Sequence, residues 1–345
     1  MPSRPVENRA VARLLAAEWQ RFSRHRLNQA ALLLLVLAVA WHFWSDYRQA
    51  QEQRLLDNQA AELQRLRGMP PGELSFLSDS EQRRWFTAQQ VALDLPGSLG
   101  VASWVWGGAR AVWLLLAILA VGGEFQWGTA RWLLSLGPGR VRWLLAKVLC
   151  LLLTALATVL LLWLAVALAG LYVHVGAFGT LAWDWAIPRF WAGQVVLMLR
   201  SWLGFWPWIG LGVLLGMMSR SPVVGAALAV LGLALESLWA YLLIMLSAMS
   251  EYGGADVPRW LLPEGLLGQL YRWTIGYNVA SLLLWAGDRE AVAMAVGRSS
   301  EPGLAAAMLT ELPTTPQRAA ALALGYGLLA VGLAAWLLAR RDLVR

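Results

Sequence analysis

Residues 147–171 read KVLCLLLTALATVLLLWLAVALAGL, a stretch of 25 residues whose only charged side chain is the lysine at its start. An α-helix of about 20 apolar residues crosses the roughly 30 Å of hydrocarbon in a bilayer. The stretch therefore predicts a membrane-spanning helix. Cys150, the only cysteine of the chain, lies inside it and can form no intramolecular disulfide, so we expect it to be a small core residue.

Five further stretches have the same character, and together they predict a membrane protein with six spans. The predicted spans are 29–45, 103–122, 147–171, 195–218, 222–249 and 319–339. Hydrophobic residues make up 59% of the 345 positions and charged residues 14%, which is too little charge to solvate an ordinary globular surface. We therefore expect an all-α fold with lipid as the solvent for much of its surface.

The charge distribution predicts the orientation of these spans. If the N-terminus is cytoplasmic, the inner segments carry 14 basic and 4 acidic residues, whereas the outer loops 46–102, 172–194 and 250–317 carry 11 basic and 16 acidic residues. Basic residues concentrate in short loops on the cytoplasmic side of membrane proteins. Both termini are thus predicted to be cytoplasmic. Orientation and anionic membrane lipids account for the net charge of +7, so no nucleic-acid partner is expected.

Three segments outside the spans have their own predicted structure. In segment 1–28, residues 6–26 place apolar side chains at helical spacing with arginines on the other positions, which predicts an interfacial helix that anchors to the membrane or contacts a cytoplasmic partner. Residues 46–102 predict a helical extracytoplasmic insertion, which either shapes an exit, docks a periplasmic accessory protein or has no specific role. In the outer loop 250–317, the piece 275–296 is interrupted by acids and is expected to be re-entrant or interfacial.

The connection between the second and third spans carries the most distinctive pattern. Residues 122–142 read GGEFQWGTARWLLSLGPGRVR, and Lys147 follows. The pattern predicts a short amphipathic helix with glycines at both ends, after which the chain re-enters the membrane past several cations.

This connection resembles the corresponding stretch of the ABC type-2 exporter permeases. There the pattern is Glu-x-x-x-Gly-Thr, a nearby Arg or Lys, a Leu-rich turn, a break of small residues with Arg, and a Lys that opens the next helix. Six spans and the Arg-Arg-Asp run at 340–342 agree with the resemblance, whereas the enlarged first outer loop departs from it and leaves the substrate class open. The matching positions are Glu124, Gly128, Thr129, Arg131, Leu134, Arg140 and Lys147.

The resemblance implies a permease in a bacterial cytoplasmic membrane. Region 123–142 would be the coupling helix, which sits in a groove of a separate ATPase dimer, and a second permease copy or a homologous permease would complete the pathway. ATP and Mg²⁺ would bind at the ATPase, because the chain has no phosphate-binding loop. An ordinary positive-inside loop is the simpler alternative. The expected coupling residues are Glu124, Gly128, Thr129, Arg131, Arg140 and Lys147, with no catalytic residue and no metal site.

Two charged residues lie deep inside the predicted spans, Arg110 in the second and Glu236 in the fifth, whereas Arg200 is near the outer end of the fourth. Counted from the inner ends at 1.5 Å per residue, both lie about 20 Å up the bilayer. Charges at this depth need a partner or a polar cavity. We therefore expect either that the two residues pair or that Glu236 faces a polar cavity.

Two other classes of function share parts of this pattern. A membrane subunit of an ABC complex that supports maturation of an extracytoplasmic protein would show every one of these features, and only a transport assay separates it from a permease. A multispan membrane enzyme needs convergent Ser/His, Asp/Asp or metal-binding groups, and the sequence offers only Glu236 and scattered serines.

Overall fold

The structure is a computed structural model of the chain. It describes residues 16–21, 95–130, 139–178, 188–251, 258–262, 265–284 and 315–340, together with scattered helical residues between 23 and 48. These residues form α-helices, one short 3₁₀ helix and the turns and bends beside them, and they include no β-strand. The expected all-α class is confirmed for this part of the chain.

Seven α-helices follow one another in the described residues from position 95 onward, and a short 3₁₀ turn, Arg259–Leu261, precedes the fifth. They are α1 (Leu95–Gln126), α2 (Arg140–Phe178), α3 (Pro188–Ser219), α4 (Pro222–Glu251), α5 (Leu266–Tyr271), α6 (Ile275–Leu284) and α7 (Pro316–Arg340).

Five of these helices, α1, α2, α3, α4 and α7, are long and apolar enough to cross a bilayer, which makes the chain a multi-pass membrane protein. They correspond to the second to sixth predicted spans. The predicted first span, 29–45, falls largely outside the described residues. Most of the insertion 46–102 and residues 285–314 of the last outer loop lie outside them too, so six spans remain a prediction.

The beginning of α2 differs from the predicted start of the third span. Hydropathy places that start at Lys147, whereas α2 begins at Arg140, about two turns earlier. The backbone N–H of Trp143 already donates to the carbonyl oxygen of Gly139 at 3.0 Å. Lys147 therefore lies inside the helix, and its exposed fraction is only 3%.

Helix α3 occupies the centre of the bundle and packs most extensively against α1 and α7. Glycines allow these close approaches. A Cβ atom at Gly212 would lie 2.5 Å from the carbonyl oxygen of Leu114 in α1, and one at Gly210 would lie 2.9 Å from that of Gly327 in α7. Gly216 is placed likewise, because a Cβ atom there would lie 3.0 Å from the carbonyl oxygen of Ile118 in α1, so all three glycines serve close helix packing.

A tight turn at Arg220 joins α3 to α4. Arg220 has a φ of 52°, and its N–H donates to the carbonyl oxygen of Gly216 at 3.2 Å. The turn lies against the end of α1, because a Cβ atom at Gly122 would be 3.2 Å from the nitrogen of Pro222. The Arg220 turn and the C-terminal end of α1 therefore share one end of the bundle.

The short helices α5 and α6 follow at the other end of α4. With ten residues, α6 is about 15 Å long, too short to cross a bilayer, and it packs against α7, α3 and α1. The Asn278 side-chain amide donates to the carbonyl oxygens of Arg272 and Thr274 at 2.9 and 2.8 Å, which fixes the turn before α6. Residues 285–296 of the expected re-entrant piece lie outside the described residues.

Helix α4 lies at the periphery and is the least buried of the five long helices. It contacts α1, α3 and α5 along one edge. Its other faces expose large apolar side chains, which is the composition of a lipid-facing helix. These exposed residues include Val223, Val224, Leu228, Val230, Leu231, Leu235, Leu238 and Leu242.

Candidate functional site

The Glu-x-x-x-Gly-Thr pattern forms the C-terminal end of α1. The N–H of Trp127 donates to the carbonyl oxygen of Gly123 at 3.0 Å, and the N–H of Gly128 donates to that of Phe125 at 3.2 Å. Gly128 has a φ of 70°, the left-handed conformation that commonly ends a helix and favours glycine. The Thr129 hydroxyl donates to the carbonyl oxygen of Glu124 at 3.2 Å. The pattern therefore fixes the backbone of Glu124 at the end of the helix.

Lys147 binds two carboxylates from different parts of the chain. Its Nζ donates to Glu124 Oε1 at 2.6 Å and to Glu18 Oε2 at 2.8 Å. It also lies 5.2 Å from the centre of the Trp143 ring, one turn earlier in α2. Because the ammonium is almost fully buried, its charge is balanced by these carboxylates and the ring rather than by water.

Arg21 completes the group, which we call the ion cluster: Glu18, Arg21, Glu124 and Lys147. The Arg21 guanidinium Nη1 lies 3.7 Å from an oxygen of each carboxylate. Its side chain is 45% exposed, so its two ion pairs contribute less than those of Lys147. Two cations and two anions leave the ion cluster without net charge.

One carboxylate oxygen of the ion cluster accepts no hydrogen bond from the described residues. Glu124 Oε2 is buried and has no hydrogen-bond partner among the described residues. Buried polar atoms in native structures are nearly always hydrogen-bonded. This oxygen can therefore still accept a hydrogen bond from a part of the chain, or from another molecule, that the described residues do not include.

The structure brings together only some of the residues expected to act in coupling. Glu124 and Lys147 contact each other, Gly128 and Thr129 end α1 beside them, and Arg140 is the first residue of α2. Arg131 and Leu134 lie outside the described residues, as does residue 342 of the Arg-Arg-Asp run. Sequence reasoning missed the acidic partner Glu18, although it placed residues 1–28 at the same inner surface.

Arg110 and Glu236 lie away from the ion cluster and have other partners. Among the described residues, no ion pair joins the two. The Arg110 guanidinium lies over the Trp208 ring, 5.6 Å from its centre. Glu236 Oε1 accepts a hydrogen bond from the backbone N–H of Gly276 at 2.7 Å. The residue lines a cavity whose described walls are mainly leucine and tryptophan, so it is not the polar cavity that we expected.

The described residues contain no group of three or more His, Cys, Asp or Glu residues that could hold a metal ion. Cys150 is a buried free thiol inside α2, as expected. What the ion cluster can do chemically is hold three parts of the chain together at one end of the bundle.

Comparison with known proteins gives no family. No protein-family model matches this sequence, and no curated protein matches it significantly.

Proposed function

We propose that this chain is the transmembrane permease subunit of a bacterial ABC exporter, driven by a separate cytoplasmic ATPase dimer. The observation that carries the proposal is the ion cluster. Lys147 of α2 binds Glu124 at the end of α1 and Glu18 of the N-terminal segment, so the two helices that flank the 127–139 connection are fixed to each other and to a third element.

A permease needs this kind of mechanical link. A force applied to the 127–139 connection reaches the membrane helices only if the ends of those helices move as a unit. In the ion cluster, a short charge-assisted hydrogen bond from the buried Lys147 to Glu124 joins the ends of α1 and α2, and a second one to Glu18 joins α2 to the N-terminal segment. The resemblance of residues 124–147 to the coupling region of type-2 exporter permeases supports the same assignment.

The contact between Gly122 and Pro222 also supports the proposed orientation. The charge pattern assigns the 123–147 connection and the Arg220 turn to the cytoplasmic side. Because the end of α1 packs against the start of α4, both connections belong to one end of the bundle. A common end is what a cytoplasmic docking surface for an ATPase requires.

The proposal is tested by isolating the tagged chain from its native host in a mild detergent. We expect an ATPase with a phosphate-binding loop to co-purify at one copy per permease and to hydrolyse ATP when the complex is returned to lipid. Lys147→Met should leave the ATPase bound but lower hydrolysis several-fold, since the permease ends no longer move together. Arg24→Met, at an exposed arginine of the N-terminal segment, should leave hydrolysis unchanged.

Two results would contradict the proposal. One is a purified chain that transports its cargo in vesicles without any ATPase. The other is an isolated native complex in which no nucleotide-binding subunit is found. If an ATPase is present but no cargo moves, the chain acts instead as the membrane subunit of a maturation complex.

A further inference from the structure

A cavity of about 460 Å³ lies between α1, α3, α4 and the start of α6. Its described lining is mainly leucine, from Leu114 of α1, Leu215 of α3 and Leu228 of α4, with the rings of Trp208 and Trp239. Cavities that bind small molecules typically measure about 300–1,000 Å³ and have apolar walls with a few fixed polar groups. The size and the walls of this cavity fit that description.

Glu236 is the only ionisable residue in the described lining of this cavity. Its carboxylate is fixed in place because Oε1 accepts the N–H of Gly276 at 2.7 Å. Only glycine allows this approach, since a Cβ atom at position 276 would lie 2.6 Å from Oε2. Gly276 is in the first turn of α6, where the unpaired backbone N–H groups favour a nearby negative charge.

The neighbouring cation does not occupy the cavity. The Arg110 guanidinium lies over the Trp208 ring, and Arg110 is absent from the described lining. The walls therefore combine one fixed carboxylate with aromatic and aliphatic surface. Carboxylates and indole rings attract organic cations, and the leucines accommodate apolar substituents.

We propose that this cavity binds a hydrophobic organic cation, with Glu236 as its counter-ion and Trp239 and the leucines around its apolar groups. The idea that such a cation is the transported cargo rests on the proposed permease function. The idea that the cavity binds the cation does not, because binding requires neither ATP nor an ATPase. The two proposals can therefore fail separately.

The test uses the full chain in lipid nanodiscs with no ATPase present. Binding of radiolabelled tetraphenylphosphonium is measured by equilibrium dialysis, and uptake by empty nanodiscs is subtracted. Tetraphenylborate, an anion of nearly the same shape, is the matched probe. We expect saturable binding of one cation per chain and no saturable binding of the anion.

Two variants connect that binding to the cavity. Glu236→Gln keeps the shape but removes the charge, and it should weaken cation binding by about tenfold or more. Gly232→Phe should abolish binding by filling the cavity, since Gly232 is in the lining and a Cβ atom there has no neighbour within 4 Å. Gly332→Phe is the control, because its Cβ position in α7 is equally open and outside the described lining.

Several outcomes would overturn the proposal. These are the absence of saturable cation binding, equal saturable binding of tetraphenylborate, undiminished affinity in Glu236→Gln, and equal losses in Gly232→Phe and Gly332→Phe. Failure to find an ATPase partner would instead count against the permease function and leave the binding result standing.

Discussion

At the scale of single residues, Lys147 determines whether two buried carboxylates can coexist. Lys147→Met leaves Glu18 and Glu124 facing each other with only the half-exposed Arg21 beside them. Removing one partner from a buried ion pair typically costs about 3–5 kcal/mol. We expect a loss of that size in the free energy of unfolding, measured by reversible denaturation in mixed micelles.

The control for Lys147→Met is Arg24→Met, which removes the same charge from an exposed position of the N-terminal segment. Exposed charges contribute about 0–1 kcal/mol, so this variant should unfold like the unmodified protein. A loss below about 1 kcal/mol for Lys147→Met would show that water reaches the ion cluster.

Gly128 permits a second test at this scale. Its φ of 70° is costly for alanine by about 1–2 kcal/mol but tolerated by asparagine, and a Cβ atom there would meet nothing within 4 Å. Gly128→Ala should therefore lower the free energy of unfolding by roughly that amount. Gly128→Asn should stay closer to the unmodified protein, and equal losses in both variants would point to a cause other than backbone conformation.

The sequence predicted Glu124 and Lys147 as functional residues but did not pair them with Glu18. One signal was present: Glu18 lies four residues after Leu14 and four before Phe22, on the apolar face of the predicted N-terminal helix. A carboxylate on that face indicates a buried partner. The sequence cannot identify the cation, because the pairing depends on how the helices pack. For the same reason it could not predict that Glu236 pairs with a backbone N–H rather than with Arg110.

At the scale of helices, the contact between α1 and α3 depends on glycine. A Cβ atom at Gly212 would lie 2.5 Å from a backbone oxygen and 2.7 Å from the Ala117 Cβ, and neither neighbour is the end of a flexible side chain. Gly212→Ala should thus destabilise the protein by about 1–3 kcal/mol through overpacking. Gly232→Ala, where the added methyl group is free, should cause no loss. Thermal unfolding in detergent compares the two, and equal midpoints would refute close packing at Gly212.

Hydropathy predicted the five long helices well because a run of about 20 apolar residues has few alternatives in a membrane. It predicted their ends less well. The α2 helix begins at Arg140 and includes two arginines before Lys147, since helical hydrogen bonding continues beyond the hydrocarbon. The short helices α5 and α6 are moderately apolar, and their lengths of six and ten residues distinguish them from spans.

At the scale of the whole molecule, the number of spans determines where the ends of the chain lie. Six spans put both termini on the same side, which the charge pattern predicts to be the cytoplasm, whereas five would put them on opposite sides. Green fluorescent protein fused after Arg345 should fluoresce, and alkaline phosphatase fused there should be inactive. The same reporters inserted at the N-terminus should give the same result, and opposite signals at the two ends would rule out six spans.

The sequence also predicted which connections lie on the same side of the membrane. Basic residues in a connection indicate its cytoplasmic location, and this signal does not depend on how the helices pack. The contacts of Gly122 and Lys147 agree with this grouping. The sequence did not predict that α3 is central or that α4 is peripheral. The mean hydropathy of a helix averages over all its faces, so it cannot distinguish a face that meets protein from one that meets lipid.

The peripheral position of α4 has a practical consequence for purification. Few of its side chains pack on the bundle, so lipid or detergent must cover the apolar surface that neighbouring helices cover in the other long helices. A short-chain, stripping detergent would detach this helix first and, with it, one wall of the Glu236 cavity. Extraction together with a patch of native lipid would preserve both the helix and the cavity wall. The choice of solubilising agent therefore determines whether binding is measured on an intact cavity.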